Sequence, residues 1–211
     1  MQIKIVSRVS LLLLISFMGS NVVAEINTDK YLVEASCSEW RPYAYKENGV
    51  IKGSAYKIAE DVFDHARVKF SYKILPWARV YNNGLEKTNY LIGCLGRTPK
   101  REELFHWVGP VTKGVNIYFY KLKSNSIQIG SIDEAKKYKI GVERDAYTND
   151  FLTINKFGVD SIHLVVKTNQ LLKMVQKGRM PFFLLDEKRM LKEAEGLEIN
   201  PELFDKALFA F

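Results

Sequence analysis

Apolar positions in the first half of the chain alternate between the spacing of a strand and the spacing of a helix. Residues 32–36 and 90–94 are short, largely apolar runs that predict buried strands. Residues 55–66 carry apolar side chains at helical spacing, and residues 68–75 alternate apolar and polar positions as a half-buried strand does. A short helix is predicted over residues 79–87. The order strand, helix, strand, helix, strand predicts a parallel α/β unit.

Two polar segments interrupt this pattern. Residues 50–54 predict a turn before the first helix, and residues 98–102 predict a turn that opens onto another helix. The second turn is basic and follows closely on the strand at residues 90–94. Ligands of open α/β sheets bind beyond the carboxyl ends of the strands. We therefore expect this turn to place cationic side chains at the mouth of a cleft.

The second half of the chain repeats the alternation after a change near Pro110. An aromatic strand is predicted over residues 115–120, and the polar stretch 124–130 marks the passage into a second lobe. The elements that follow are strands at residues 139–142, 159–165 and 182–185, and helices at residues 131–135, 148–157 and 169–177. Residues 207–211 predict a last strand, which would return the chain to the first lobe.

The N-terminus has the pattern of a secretory signal peptide. Lys4 and Arg8 precede the apolar stretch 9–18, and small residues end at Ala24, after which we predict cleavage. The apolar stretch is shorter than the roughly 20 residues that span a bilayer. The sequence therefore predicts a free periplasmic protein of about 187 residues, enough for two small lobes.

The charge and the histidines exclude several function classes. The chain carries a net charge of +7, which falls to +5 when Lys4 and Arg8 are removed. Because the basic residues are scattered among acidic ones and the protein is exported, we expect no nucleic-acid partner. His65, His106 and His163 are too far apart in sequence for a metal-ligand motif, and we expect neither a metal nor a cofactor.

The two cysteines, Cys37 and Cys94, each fall at the end of a predicted strand. An even number of cysteines in an exported protein is compatible with a disulfide, and two buried free thiols are the alternative.

Four segments together resemble a known protein family. They are residues 32–36, residues 40–45, residues 76–79 and the strand and basic turn of residues 90–101. In these segments the chain resembles the extracytoplasmic solute-binding proteins of family 3, which include polar amino-acid receptors of ABC importers. The resemblance covers about residues 30–211 and implies an α/β fold of the two-lobed, type II periplasmic-binding kind, each lobe a mostly parallel sheet flanked by helices.

The resemblance also implies the domain organisation. After the leader at residues 1–24, the first lobe would span residues 25–112, the second lobe residues 113–205, and residues 206–211 would begin the return strand. Family members usually continue through a further helix on the first lobe, so we expect a chain shortened at its C-terminus. In the family fold the strands before Cys37 and Cys94 are neighbours, which favours a disulfide between them.

Two residues of opposite charge match ligand-binding positions of the family. Arg101 matches the arginine that holds a ligand carboxylate through two parallel hydrogen bonds, and Asp186 matches the aspartate that receives a ligand ammonium group. Together they would clamp a zwitterion from opposite lobes. The alternatives are that Arg101 pairs with Glu102 or Glu103 at the surface and that Asp186 caps a helix.

Further side chains are expected to line the ligand site. The aromatic wall would consist of Trp40, Tyr43 and Trp77, and further donors would be Tyr147, Arg97 and Arg144. Residues 143–147 replace the Gly-Thr or Gly-Ser turn of amino-acid binders. This departure favours a ligand that is larger, more aromatic or more acidic than a simple amino acid.

These observations predict a monomeric, non-enzymatic receptor that closes on a small polar, amino-acid-like or anionic ligand and delivers it to an ABC permease of the inner membrane. One alternative is a sensory relative that signals to a membrane partner. The other is a dehydratase-like enzyme on the same fold, with Glu39, Glu143 or Asp186 as its general acid or base.

Overall fold

A computed structural model describes residues 32–211, so the predicted signal peptide and its cleavage site after Ala24 lie outside the described residues. The first lobe is built on a parallel sheet of three strands in the order β4–β1–β5. Its elements are β1 (Val33–Cys37), β2 (Tyr45–Glu47), β3 (Val50–Lys52), α1 (Ser54–Ala66), β4 (Phe70–Ile74), α2 (Trp77–Glu86) and β5 (Tyr90–Ile92). A 3-10 helix at Pro99–Leu104 follows. The predicted parallel α/β unit is confirmed by these pairings.

The predicted turn at residues 50–54 is wrong, because residues 50–52 form a strand. This strand, β3, pairs antiparallel with β2 in a two-stranded hairpin. Asn48 and Gly49 form the turn with φ of 50° and 84°, a backbone conformation that Asn and Gly adopt readily. An Asn-Gly pair between two strand-like runs is a strong hairpin signal in a sequence.

A disulfide joins Cys37 at the end of β1 to Cys94 just beyond β5. The two Cα atoms are 5.4 Å apart, and 57 positions separate the residues in the sequence. Because β1 and β5 are hydrogen-bonded neighbours, their ends meet at the same edge of the sheet. The covalent link therefore anchors the loop that leads to Arg101.

The second lobe is built on a sheet of five strands in the order β10–β6–β9–β7–β8. Its elements are β6 (Ile117–Leu122), α3 (Ile132–Ala135), β7 (Ile140–Glu143), α4 (Tyr147–Ile154), β8 (Ile162–Val165), α5 (Asn169–Gln176), β9 (Phe182–Asp186), α6 (Glu187–Gly196) and β10 (Phe204–Phe209), with 3-10 helices at Val159–Ser161 and Pro201–Leu203. Strands β7, β8 and β9 are parallel, whereas β6 is antiparallel to both β9 and β10.

Strand β9 lies at the centre of this sheet and supplies side chains to both faces. Phe183 and Leu185 pack in a cluster with the helices α5 and α6, and Phe182 and Leu184 pack in a second cluster on the opposite face. All five residues of the strand are buried. A continuous apolar run of this kind is typical of a central strand in a sheet that is covered on both faces.

The C-terminal strand differs from its prediction in position and in partner. It begins at Phe204 and pairs with β6, so the predicted boundary between residues 205 and 206 falls inside a strand of the second lobe's sheet. Ala210 and Phe211 continue alongside β6, because Ala210 N donates to Ile117 O and Ile117 N donates to Phe211 O, each at 2.8 Å. Helix α6 was not predicted as an element.

Candidate functional site

Arg101 lies between the lobes, buried at the end of the basic turn of the first lobe. It is 1% exposed, one of the largest fully buried side chains in the described part of the chain. Its Nη1 donates to Gly96 O at 3.1 Å, and its Nη2 donates to Asp145 O at 2.7 Å. The guanidinium carbon is 5.3 Å from the ring centre of Tyr81. The surface pairing with Glu102 or Glu103 is therefore not what the structure shows for Arg101.

The carboxylate that meets Arg101 belongs to the protein itself. Asp150, in the first turn of α4, lies with Oδ2 2.9 Å from Arg101 Nη2, and their side chains are 4% and 2% exposed. Thr98 Oγ1 also donates to Asp150 Oδ2 at a long 3.4 Å. Because Arg101 belongs to the first lobe and Asp150 to the second, this buried ion pair connects the two lobes.

A second contact between the lobes involves Trp77 at the start of α2. Its indole Nε1 donates to Asp145 O at 2.8 Å, so this one carbonyl accepts hydrogen bonds from both Trp77 and Arg101. Asp145 adopts φ of 57°, a left-handed conformation that Asp tolerates better than most residues. That turn directs its carbonyl toward the first lobe.

Asp186 lies at the carboxyl end of β9 and also begins α6. Its Oδ1 accepts a hydrogen bond from Arg189 N at 2.9 Å, which is the helix-capping role considered as the alternative. The residue is only 2% exposed, yet Oδ2 has no hydrogen-bond partner. Burial raises the pKa of the Asp186 carboxyl, and the N–H and charge of Arg189 offset only part of this rise. Asp186 therefore keeps one buried acceptor free.

Tyr147 brings a second unpartnered polar atom into the same region. Its hydroxyl is buried without a hydrogen-bond partner, and burial followed by the charge of Asp186 raises the pKa of the phenol. The residue packs against the first lobe, because a methyl group added at Gly96 would lie 2.9 Å from Tyr147 Cβ. Only glycine fits at position 96 with the lobes this close.

A buried cluster of charges in the second lobe lies beside Asp186. Arg189 Nη2 donates to Glu143 Oε2 at 3.1 Å, and Thr168 Oγ1 donates to the same oxygen at 2.8 Å. Arg189 Nε is 3.8 Å from Glu193 Oε1. Burial raises the pKa of Glu193, while the Arg189 charge lowers it. Since Arg189 and Thr168 already contact Glu143, this carboxylate has a structural role in the charge cluster.

The first lobe places aromatic rings opposite these carboxylates. Tyr43 is buried, and burial and the charge of Asp186 both raise the pKa of its phenol. Its ring centre is 4.4 Å from that of Trp40. Glu39, by contrast, is exposed and forms an ion pair with Arg41.

Two predicted site residues lie away from this region. Arg97 is exposed, forms an ion pair with Glu102 and lies over the ring of Trp107, 5.1 Å from its centre. Arg144 is also exposed, and its backbone N–H donates to Val165 O at 2.9 Å. The structure thus brings Arg101, Trp77, Tyr147, Asp186 and Tyr43 together with Trp40 beside them, and it leaves Arg97 and Arg144 at the surface.

Sequence reasoning did not identify Asp145, Asp150 or Arg189. One sequence feature does mark Asp150, because acidic residues are favoured in the first turn of a helix. That preference holds equally for an exposed side chain, so it does not predict a buried ion pair. Asp145 contributes a backbone carbonyl, which no side-chain pattern can reveal. Arg189 lies three residues after the predicted Asp186, on the inner face of a helix that was not predicted.

A cavity of about 410 Å³ lies between the lobes at one side of this region. Arg41, Pro42, Tyr45 and Glu47 of the first lobe form one wall, and Lys192, Glu195 and Gly196 of α6 form the other. Neither Arg101 nor Asp186 lines it. Contacts of Arg101, Trp77 and Gly96 join the two lobes near the predicted ligand residues.

Within residues 32–211, no cluster of three or more His, Cys, Asp or Glu side chains has the geometry of a metal site. No helix of the same part of the chain is long and apolar enough to cross a membrane.

Solved structures of similar fold cover most of the chain. A histidine kinase sensor domain with similarity to periplasmic binding proteins matches with a TM-score of 0.73 at 10% identity, covering 85% of this chain and 78% of that one. An ancestral arginine-binding protein bound to arginine matches with a TM-score of 0.69 at 15% identity, covering 86% and 80%. A solute receptor for L-cysteine from Neisseria gonorrhoeae matches with a TM-score of 0.66 at 18% identity, covering 86% and 73%. At these identities the likeness establishes the fold alone, and it confirms the predicted two-lobed, type II periplasmic-binding architecture.

A comparison with curated protein sequences finds no match. The family model of the bacterial extracellular solute-binding proteins, family 3, by contrast matches residues 32–184. That match covers well over half of the chain and includes strands of both lobes, and the resemblance inferred from the four sequence segments is confirmed. The chain therefore belongs to the bacterial extracellular solute-binding proteins of family 3.

Proposed function

We propose that this protein is a periplasmic receptor that holds one small polar solute between its lobes and that the solute carries an ammonium group. The observation that carries the proposal is Asp186, which is buried at the carboxyl end of β9 with Oδ2 unpartnered. Buried polar atoms are normally hydrogen-bonded, so an unpartnered pair of acceptors such as Asp186 Oδ2 and Tyr147 Oη favours a ligand that supplies the missing donors.

The recipient of the solute would be an ABC permease in the inner membrane, and the receptor would act as a monomer without covalent chemistry. Membership of the solute-binding family supports this role. Closure of two lobes on a ligand is a common way to couple binding to recognition by a partner. The arginine and L-cysteine receptors of similar fold support a solute that contains an amine.

A sensory role is the second candidate, supported by the likeness to a histidine kinase sensor domain. In that role the same closure would signal to a membrane receptor. Co-purification of the ligand-loaded protein with membranes separates the two roles, because the transport role predicts capture of permease subunits and the sensory role predicts capture of a kinase.

The first test of the proposed function is thermal unfolding of the purified protein in the presence of amines, amino acids and small carboxylates. A ligand at one hundred times its Kd stabilises the folded state by about 2.7 kcal/mol, which raises the Tm by about 5–10 °C for a chain of this size. Asp186→Asn keeps the helix cap but removes the charge, so it should abolish the rise.

The matched control is Asp133→Asn, because Asp133 is exposed on α3 in the second lobe. This variant should bind as the unmodified protein does. A protein that unfolds cooperatively but gains no stability from any solute of the panel would contradict the proposed function.

A further inference from the structure

Arg101 has little capacity left for a ligand carboxylate. Its Nη1 donates to Gly96 O and its Nη2 donates to Asp145 O, Nη2 also forms an ion pair with Asp150, and Nε has no hydrogen-bond partner. A carboxylate binds a guanidinium best through two parallel hydrogen bonds, which need two free N–H groups on one edge of the fork. In this structure Nη2 already faces both Asp145 O and Asp150 Oδ2, so no edge of the guanidinium keeps two free N–H groups.

Displacing Asp150 from Arg101 would leave a buried negative charge without a close cation. Its side chain is 4% exposed, and the other cation within reach, Lys100, is at a long 3.5 Å on an exposed side chain. A ligand carboxylate on Arg101 would therefore leave the Asp150 charge buried with a weak partner. Removing one partner of a buried ion pair in this way is strongly unfavourable.

The unpartnered atoms of the site favour a cation. Asp186 Oδ2 and Tyr147 Oη are buried atoms that can accept a hydrogen bond, and the Arg189 guanidinium pairs with Glu143 and Glu193, while Asp186 receives the backbone N–H of Arg189. The one guanidinium of this cluster is therefore already shared by two carboxylates, and within residues 32–211 Asp186 has no cationic side chain in an ion pair with it. Burial raises the pKa of Asp186, and the nearby charges of Arg189 and Lys188 offset only part of this rise.

Aromatic rings complete the environment of a cation. Tyr43 of the first lobe is near enough to Asp186 for its charge to raise the pKa of the Tyr43 phenol, and Trp40 packs against Tyr43. An ammonium group held near such rings is attracted to their π faces.

We propose that the solute is an organic amine without a carboxylate, because Asp150 takes the place of a ligand carboxylate on Arg101. The amine would be received by Asp186 and Tyr147. This inference rests on the proposed function, and it differs from the carboxylate-holding role that the family resemblance implies for Arg101.

Pairs of compounds that differ only by a carboxylate test this inference directly. Putrescine and ornithine, cadaverine and lysine, and agmatine and arginine are such pairs, and their Kd values can be measured by isothermal titration calorimetry. We expect the amine of at least one pair to bind at least about tenfold more tightly than its amino acid. An amino acid that binds more tightly than its amine would overturn the inference and leave the proposed function in place.

Asp150→Asn tests the cause of the preference. The variant removes the charge from the carboxylate position, so Arg101 becomes available and affinity for the amino acid of the pair should rise about tenfold, with little change for the amine. Unchanged amino-acid affinity in a folded variant would overturn the inference. Asp133→Asn serves again as the control and should leave both affinities unchanged.

If Asp150→Asn does not fold, a double variant still decides the question. Arg101→Met with Asp150→Leu replaces the buried ion pair by apolar side chains of similar size, an exchange that buried ion pairs often tolerate. The double variant should keep the preference for the amine, and loss of that preference would overturn the inference. Failure of every amine and every amino acid to bind the folded, unmodified protein would overturn the proposed function itself.

Discussion

Arg101 and Asp150 form an ion pair whose two side chains are almost completely buried. Taking two charges out of water is costly, and their attraction offsets that cost only when the remaining hydrogen bonds are made. Two backbone carbonyls, Gly96 O and Asp145 O, supply acceptors for the guanidinium. The pair is therefore satisfied except at the buried Nε of Arg101, and either partner alone would be strongly unfavourable.

Replacing Arg101 by alanine should destabilise the protein by about 3–5 kcal/mol, because Asp150 would keep a buried charge without its main partner. The Tm should fall by about 6–20 °C for a chain of this size. The measurement is thermal unfolding at neutral pH, followed by circular dichroism.

Arg97→Ala is the matched control, since Arg97 forms an ion pair with Glu102 at the surface, where its side chain is 63% exposed. Exposed ion pairs contribute little to stability, so the Tm should hardly change. If Arg101→Ala lowered the Tm no more than Arg97→Ala does, the ion pair between Arg101 and Asp150 would not stabilise the protein as expected.

At the scale of elements, the ends of strands decide where the site residues lie. In the second lobe, Glu143 ends β7 and Asp186 ends β9, and these strands are parallel neighbours, so their last residues meet at one edge of the sheet. In the first lobe, β1 and β5 end together in the same way, and the disulfide between Cys37 and Cys94 holds the loop beyond β5 to the sheet.

Replacing both Cys37 and Cys94 by alanine should lower the stability by about 4 kcal/mol, the loop-closure value for a bridge across 57 positions. The Tm should fall by about 8–16 °C. Reductant should lower the Tm of the unmodified protein and leave that of the double variant unchanged. Two thiols that react with an alkylating reagent in the native, unreduced protein would contradict the bridge.

At the scale of the whole molecule, side chains of the two lobes contact each other directly. Trp77 and Arg101 donate to the same carbonyl of Asp145, Arg101 pairs with Asp150, and Tyr147 packs against Gly96. Proteins with two lobes exist as an equilibrium between open and closed forms, and a ligand shifts that equilibrium only by binding one form better. Contacts between the two lobes of the chain shift the equilibrium toward the closed form in the same way.

Trp77→Phe removes one hydrogen bond between the lobes and keeps an aromatic ring. One such bond contributes about 0.5–1.5 kcal/mol, so the ratio of closed to open molecules should fall about 2- to 13-fold. Small-angle X-ray scattering of the ligand-free protein should then give a larger radius of gyration.

Trp107→Phe is the control for this variant, because Trp107 Nε1 donates to Glu102 O within the first lobe. It should leave the scattering curve unchanged. Equal curves for Trp77→Phe, Trp107→Phe and the unmodified protein would show that the Trp77 contact does not influence closure.

Local patterns in the sequence determined the elements and much of the fold. Alternating and helical spacings located most of the strands and helices within one to three residues of their observed ends, since burial of apolar side chains on one face follows the period of each element. The same patterns placed Asp186 at the end of a buried strand, and the family resemblance extended this to two lobes. The hairpin turn at Asn48 and Gly49 also has a sequence signal in the Asn-Gly pair, but the predicted turn was placed at residues 50–54 instead.

The partners of the site residues were decided only by the tertiary structure. Arg101 and Asp150 are 49 positions apart, and nothing in their local sequence distinguishes a buried pair from two exposed charges. The acceptor in Asp145 is a backbone carbonyl, and its direction depends on one turn and on how the lobes pack. Sequence periodicity indicates which side of a helix or strand is buried. The partner of a charged residue depends instead on how elements that are distant in the chain lie relative to one another.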